Sequence, residues 1–109
     1  MRTPASFPKI KNAILGKRYD LSVALVSPAA MRRAMKYKKT PSKKTSNVLS
    51  FPLSKTSGEI LLCKQAAKPY SLHFLFIHGL LHLKGLRHSA TMEYEEDRYL
   101  KRFGLRRNG

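Results

Sequence analysis

Hydrophobic and polar residues follow two different periods along the chain, and these periods separate the predicted helices from the predicted strands. Apolar spacing, helix caps and terminating glycines predict four helices, over Phe7–Leu15, Pro28–Tyr37, Tyr70–Leu83 and Thr91–Phe103. Short runs rich in β-branched and aliphatic residues predict three strands, over Asp20–Val26, Asn47–Phe51 and Glu59–Cys63. We expect Pro52 to end the second strand and Ser57-Gly58 to form the turn before the third.

The order of these elements is helix, strand, helix, two strands and two helices, which predicts an α+β domain with one small sheet of three or four strands. A length of 109 residues suits one domain, so residues 1–109 are predicted to fold as a single unit. Residues 38–46 (KKTPSKKTS) offer no apolar side chain to a core and are predicted to form a basic loop. The tail, residues 104–109, is expected to fray.

The charge of the chain narrows the classes of partner. Its 22 Lys and Arg residues against 6 Asp and Glu residues give a formal net charge of +16. Concentrated like charge opposes folding, so a polyanion such as RNA or DNA is the favoured partner, with a merely solvated surface as the alternative. The candidate phosphate-binding residues come from the densest basic stretch and are Arg32, Arg33, Lys38, Lys39, Lys43 and Lys44.

Other classes of protein are disfavoured by what the sequence lacks. One Cys rules out an internal disulfide framework and a Cys-rich zinc finger, and it fits a reducing compartment. No apolar run reaches the roughly 18–20 residues that a membrane span needs. The first residues lack the apolar segment of a secretory signal. We therefore expect a cytoplasmic protein with no membrane partner.

Three histidines carry the most specific pattern, within HGLLHLKGLRH at positions 78–88. Residues four apart share a helix face, so His78 and His82 should project from successive turns in the same direction. Gly85 ends the helix and lets the chain turn back, as a third ligand at His88 requires. The spacing therefore predicts one metal ion per chain, held by three imidazoles, with zinc favoured and nickel or copper as alternatives.

Three neutral imidazoles leave a fourth tetrahedral position for water, which is the arrangement of catalytic zinc. Zinc lowers the pKa of that water to about 7, so hydroxide becomes available at neutral pH. The spacing also fits the metzincin protease pattern HExxHxxGxxH, except that Gly79 stands where that class has its glutamate base. This difference disfavours proteolysis, whereas an anionic RNA phosphodiester would be attracted to the basic chain.

Other polar residues have weaker claims to a role. His73 lies five residues before His78, on another helix face, and is predicted to be a core or boundary residue. Glu59 is a candidate general base or partner of a ligand, and a salt-bridged residue at the sheet edge is an equal alternative. Glu96 is a candidate brace for a ligand residue. Three further residues are interpreted as structural, namely Ser50, Cys63 and Met92.

Three motifs occur in a fixed order along the chain: NVLSFP at 47–52, GEI at 58–60 and the histidine segment at 78–88, followed by Met92 and Glu96 in an M-x-x-x-E pattern. Together they resemble the YbeY family of bacterial endoribonucleases and rRNA maturation factors over roughly residues 20–103. The resemblance implies a zincin-like helix carrying HxxxH, with His78, His82 and His88 as ligands of one zinc ion. It also implies single-strand-specific cleavage of RNA in 16S rRNA 3′-end processing on the small ribosomal subunit, and a part in ribosome quality control.

The chain departs from the family pattern in three places. Leu86-Arg87 stands where the family commonly has Tyr-Asp, and Thr40 falls where it usually has a functional Arg, with Lys38 and Lys39 as the nearest basic groups. The connection from Cys63 to Tyr70 is also shorter than usual. These departures motivate an alternative, a non-catalytic RNA-binding factor associated with the ribosome. A metalloendopeptidase is a weaker alternative.

Overall fold

The structure, a computed structural model, describes residues 3–37 and 46–109, and in this part of the chain four helices and three strands form an α+β fold. The helices are α1 (Phe7–Leu15), α2 (Pro28–Tyr37), α3 (Leu72–Leu83) and α4 (Ala90–Arg102). The strands are β1 (Asp20–Leu25), β2 (Val48–Ser54) and β3 (Ser57–Leu62), and a short 3-10 helix follows at Lys64–Ala66. The predicted fold class is confirmed, and most predicted boundaries lie within two residues of the observed ones. None of the described helices is long and apolar enough to cross a membrane.

The three described strands form one mixed sheet in the order β1-β3-β2, with β1 parallel and β2 antiparallel to the central strand β3. The prediction that Pro52 ends β2 is wrong, because the strand continues to Ser54. β2 lies at the edge of the sheet, where a proline without an N–H is tolerated, and its pairing is irregular between Pro52 and Ser54. The turn consequently falls at residues 55–56, and Ser57-Gly58 belongs to β3.

Alternate residues of the central strand face two separate apolar clusters. Ile60 and Leu62 are fully buried in the main cluster, with residues of α1, α3 and α4. Leu61 packs on the opposite side, against the smaller cluster that contains Met31 and Met35 of α2. Successive residues of a strand point to opposite faces, so this arrangement assigns a face to every β3 side chain. We call the two sides the α3 face and the α2 face of the sheet.

Helix α3 is buried almost all round and begins two residues later than predicted. Ser71 caps it, because the Ser71 hydroxyl accepts a hydrogen bond from the Phe74 N–H at 3.0 Å. Its apolar residues fill the main cluster, namely Phe74, Leu75, Phe76, Ile77, Leu80 and Leu81. The helix that carries the histidine motif is therefore the central helix of the core.

The tail was predicted to fray, but in the structure residues 106–109 pair with the chain just before α3. The Ser71 N–H donates to the Arg107 carbonyl at 2.8 Å, and the Ser71 hydroxyl donates to the Arg106 carbonyl at 2.6 Å. The Gly109 N–H donates to the Pro69 carbonyl at 3.0 Å, and Asn108 forms an isolated bridge with Tyr70. The N–H and carbonyl groups just before a helix have no hydrogen-bond partner within that helix. Here the backbone of the tail supplies their partners.

Gly79 is the point of closest approach between α3 and the sheet. The buried Ser50 hydroxyl donates to the Gly79 carbonyl at 3.0 Å, in agreement with the interpretation of Ser50 as a structural residue. A Cβ atom on Gly79 would lie 3.0 Å from Ser50 Oγ, 3.2 Å from Ile60 Cδ1 and 3.3 Å from Val48 Cγ2. A side chain at position 79 would thus point into the sheet. This glycine is a packing residue, and a glutamate there would not face the histidines.

We predict that Gly79→Ala destabilises the protein. Alanine has a higher helix propensity than glycine, but its methyl group must displace three packed neighbours. The free energy of unfolding should therefore fall by about 1 kcal/mol. Thermal unfolding would show this loss as a midpoint lower by several degrees. In the double variant Gly79→Ala/Ser50→Ala the two losses should be less than additive, because Ser50 Oγ is the nearest of the three contacts. Additive losses would contradict the packing explanation.

Candidate metal centre

His78 and His82 lie one turn apart on α3, and their Nε2 atoms face each other at 3.0 Å. The ring of His88 completes the group, with its centroid 4.9 Å from that of His78 and 4.8 Å from that of His82. One ring nitrogen from each of the three residues lies within 4.8 Å of the others. Atoms this close can reach a single ion at the usual zinc–nitrogen distance of about 2.0–2.1 Å. The structure thus brings the three predicted ligands together.

His88 returns to the other two histidines because α3 ends in a tight turn at Gly85. The Leu86 N–H donates to the Leu81 carbonyl at 3.0 Å, and the Gly85 N–H donates to the His82 carbonyl at 2.9 Å. This pair of bonds is the Schellman arrangement, which needs a left-handed residue. Gly85 provides it with φ +107°.

Hydrogen bonds behind His78 and His82 fix which nitrogen of each ring carries the proton. His82 Nδ1 lies 3.0 Å from the Leu86 carbonyl oxygen, which can only accept, so this nitrogen is the donor. His78 Nδ1 lies 2.7 Å from Glu96 Oε2 and donates to that carboxylate. A neutral ring with its proton on Nδ1 has the lone pair of Nε2 available for a metal ion. Three ring nitrogens within 4.8 Å of one another, two of them 3.0 Å apart, are a donor set that fits a metal ion.

The sequence analysis identified Glu96 as a brace for a ligand residue, and the structure places it in hydrogen-bonding contact with His78. Glu96 is only 4% exposed, on the buried side of α4. A buried carboxylate is stable only when its charge is paired. Besides His78, its other oxygen lies 3.9 Å from Arg107 Nη1. The tail and α4 therefore both support the ring of one candidate ligand.

Two clefts open on either side of the three histidines. The first, of about 320 Å³, lies towards α4 and the tail, and we call it the α4 cleft. The second, of about 500 Å³, follows residues 46–52 at the edge strand, and we call it the β2 cleft. Four residues line both clefts, namely Asn47, Val48, His78 and His88. The candidate metal centre thus lies between two open grooves.

Glu59 does not lie near the three histidines. It follows Gly58 and precedes Ile60, both of which face α3, so the alternation of β3 turns Glu59 to the α2 face. There it lines a shallow groove with Arg33 and Tyr37 of α2. The structure therefore does not bring Glu59 to the three histidines, and its position gives no support to the candidate role as a general base or a partner of a ligand.

Of the six candidate RNA-binding residues, the structure describes only Arg32 and Arg33. Arg32 and Arg33 are exposed on α2, away from the histidines. Four candidate RNA-binding residues lie outside the described residues, namely Lys38, Lys39, Lys43 and Lys44.

The remaining predicted residues behave largely as the sequence indicated. Met92 is buried and lines the α4 cleft, and Cys63 is fully buried. His73 bonds to the Ser6 hydroxyl at 2.9 Å, beside Phe7, and burial lowers its pKa. His73 is thus a boundary residue, as predicted.

Sequence reasoning missed two residues of the α4 cleft, Tyr70 and Arg107. Tyr70 was expected to open α3, and Arg107 belongs to the tail that was expected to fray. Both reach the cleft through the pairing of the tail with the segment before α3, which no local pattern marks. The Leu86 carbonyl was also missed, because a backbone group leaves no trace in the sequence.

Comparison with known proteins adds independent information on the family. The sequence profile described as "Endoribonuclease YbeY" matches residues 6–104. The chain belongs to the YbeY family. Proteins named "Endoribonuclease YbeY" from Rubrobacter xylanophilus and Sulfurimonas denitrificans are similar to it, at 35% identity over 82 residues and 38% over 79 residues. Another protein of that name, from Aromatoleum aromaticum, is 34% identical over 110 residues.

The match to these relatives is partial in length. It covers 71% of this chain and 58% of the Rubrobacter protein, and 57% of this chain and of the Sulfurimonas protein. For the Aromatoleum protein the values are 87% of this chain and 71% of the relative. The chain thus spans a little over half the length of the first two relatives. No solved structure matches the chain significantly.

We predict that Glu96→Gln weakens zinc binding about tenfold, because an amide supports the His78 ring less well than a carboxylate does. The measurement is competition with a chromogenic zinc chelator on the purified protein. Glu93→Gln is the matched control, since Glu93 is an exposed carboxylate on the same helix. Equal zinc affinity in wild-type and Glu96→Gln protein would contradict the supporting role.

Proposed function

We propose that the protein is a metal-dependent endoribonuclease that hydrolyses phosphodiester bonds of single-stranded RNA. Its proposed substrate is rRNA of the small ribosomal subunit, with 16S rRNA 3′-end processing and ribosome quality control as its setting in the cytoplasm. The observation that carries the proposal is the approach of His78 Nε2 and His82 Nε2 to 3.0 Å, with a ring nitrogen of His88 in reach of both. Membership of a family whose relatives carry the name endoribonuclease supports the reaction class.

One zinc ion per chain is the proposed cofactor, held by His78, His82 and His88. When bound, such an ion supplies a Lewis acid for phosphoryl oxygen and lowers the pKa of a water molecule towards neutrality. The protein's own contribution is to orient the rings of His78 and His82. Glu96 and the Leu86 carbonyl do so by accepting hydrogen bonds from the two Nδ1 atoms.

The charge of the chain supports an anionic polymer as substrate. A net charge of +16 on 109 residues attracts a phosphate backbone over a long range. Lys43 and Lys44 precede Ser46 by two or three residues in the sequence, and Ser46 lines the β2 cleft beside the histidines. We propose that the lysines of this segment (Lys38, Lys39, Lys43 and Lys44) contact phosphates near the scissile bond. Arg32 and Arg33, on the α2 face, would add to the attraction.

A non-catalytic RNA-binding factor is the second candidate, favoured by Arg87 and Thr40 at positions where the family has other residues. A metalloendopeptidase is disfavoured further by the structure. Gly79 packs on Ser50 and the sheet, so the position that holds the protease glutamate points away from the histidines. The spacing shared with proteases therefore carries no proteolytic base in this protein.

We predict that His82→Ala abolishes both zinc binding and RNA cleavage. Zinc content should fall from about one ion per chain to near zero, and cleavage of single-stranded rRNA fragments by more than about 100-fold. His73→Ala is the matched control, because His73 lies on the same helix but bonds to Ser6 instead. Metal analysis and a gel-based nuclease assay provide the two measurements. Chelation should abolish the activity of the wild-type protein, and added zinc should restore it.

Two outcomes would contradict this proposal. Cleavage that survives both chelation and His82→Ala would reject the metal-dependent mechanism. Binding to ribosomal particles without turnover, unchanged in folded His78→Ala protein, would favour the non-catalytic factor.

A further inference from the structure

The α4 cleft and the β2 cleft differ in charge, although they meet at the histidines. The α4 cleft has two carboxylates in its lining, Glu93 and Glu96. The β2 cleft has none among the described residues that line it, and the lysine-rich segment precedes it in the chain. A phosphate backbone is repelled by carboxylates, so it should follow the β2 cleft. The α4 cleft then suits an uncharged part of the substrate.

The wall of the α4 cleft carries flat, π-rich side chains. Tyr70 is 37% exposed, and its ring lies 5.1 Å from that of Phe74, with an angle of 31° between the planes. The Arg107 guanidinium covers Phe74, its Cζ 4.4 Å from the ring centroid. Phe74 in turn lies 6.1 Å from the ring of His78. A row of flat groups therefore runs from the open cleft to the candidate metal centre.

Arg107 is held in place by acidic neighbours on α4. Its Nη2 atom lies 2.6 Å from Asp97 Oδ1, and its Nη1 atom lies 3.9 Å from Glu96 Oε1. These carboxylates balance the guanidinium charge, so Arg107 offers the cleft a fixed plane more than a free positive charge. Planar guanidinium groups and aromatic rings are the two surfaces on which unpaired bases stack in RNA-binding proteins.

We propose that Tyr70 and Arg107 form a binding site for one nucleobase of single-stranded RNA, next to the scissile phosphate. The inference rests on the proposed function and assigns its substrate preference to particular residues. A base in a duplex is already stacked and paired, and so is not free to enter the cleft. A base in a single strand can turn into it while the backbone follows the β2 cleft. The preference for single strands then arises from stacking in the α4 cleft.

The test measures binding of a fluorescein-labelled, fully 2′-O-methylated single-stranded RNA oligonucleotide, and a denaturing gel checks after each titration that it is intact. Fluorescence polarisation with the full chain gives Kd at several salt concentrations. Tyr70→Ala should weaken binding about tenfold, while Tyr70→Phe should bind like wild type because the ring is kept. Tyr94→Ala is the matched control, since Tyr94 is 65% exposed on α4 but lines neither cleft.

Salt dependence separates stacking from charge. The slope of log Kd against log salt counts displaced counterions, so Tyr70→Ala should shift the line without changing its slope. A second arm uses wild-type protein with oligonucleotides that carry one abasic position, moved along the strand. One abasic position should weaken wild-type binding about tenfold and leave Tyr70→Ala binding unchanged. The wild-type measurements of this arm do not depend on how well any variant folds.

The proposal is overturned if Tyr70→Ala binds like wild type, or if no abasic position weakens wild-type binding. It is also overturned if Tyr70→Phe loses as much affinity as Tyr70→Ala. Cleavage of unmodified RNA by wild-type protein is measured in parallel. Cleavage without the Tyr70 effect rejects the nucleobase site and keeps the endoribonuclease. The Tyr70 effect without cleavage keeps the nucleobase site and rejects the endoribonuclease.

Discussion

Two hydrogen bonds at the Nδ1 atoms of His78 and His82 determine whether their Nε2 atoms can bind a metal ion. An imidazole has one proton to place when neutral, and an acceptor at Nδ1 draws it there. The acceptors are a buried carboxylate on α4, at 2.7 Å from His78, and a carbonyl in the turn after α3, at 3.0 Å from His82. Each acceptor comes from a different element, so the chemistry of the rings depends on the packing of α4 and on the turn at Gly85. A loss of either would free a ring to rotate or to change tautomer.

Helix α3 serves both the core and the site, and this double role explains its composition. Its apolar residues fill the space between the sheet, α1 and α4. On another face of the helix, His78 lines both clefts and His82 lines the β2 cleft. Gly79 lets the helix approach the sheet closely enough for Ser50 to bond to its backbone. Two of the three candidate ligands, His78 and His82, therefore lie on a helix that is buried almost all round, which restricts their movement.

Patterns that depend on neighbours in the sequence were predictable, and those that depend on distant pairing were not. The geometry of the candidate centre was predictable because it depends on two local features. These are the i, i+4 spacing of His78 and His82 and the end of the helix at Gly85. The contact between Glu96 and His78 was also predictable, because the sequence places Glu96 near the start of the helix that follows the histidine segment. Glu59 was misplaced because a motif does not reveal which face of a strand it uses until the register with α3 is known. The tail was misjudged because its partners lie more than 30 residues away in the sequence, before α3.

The carbonyl of Leu86 has a consequence for the variability of this turn. A side-chain acceptor would tie position 86 or 87 to one residue type, whereas a carbonyl is present whatever side chain follows it. Natural selection on this stretch would then act on the shape of the turn, above all on the left-handed glycine, and would tolerate exchange of the residues after it. With an arginine at position 87, the Leu86 carbonyl accepts from His82 Nδ1 at 3.0 Å.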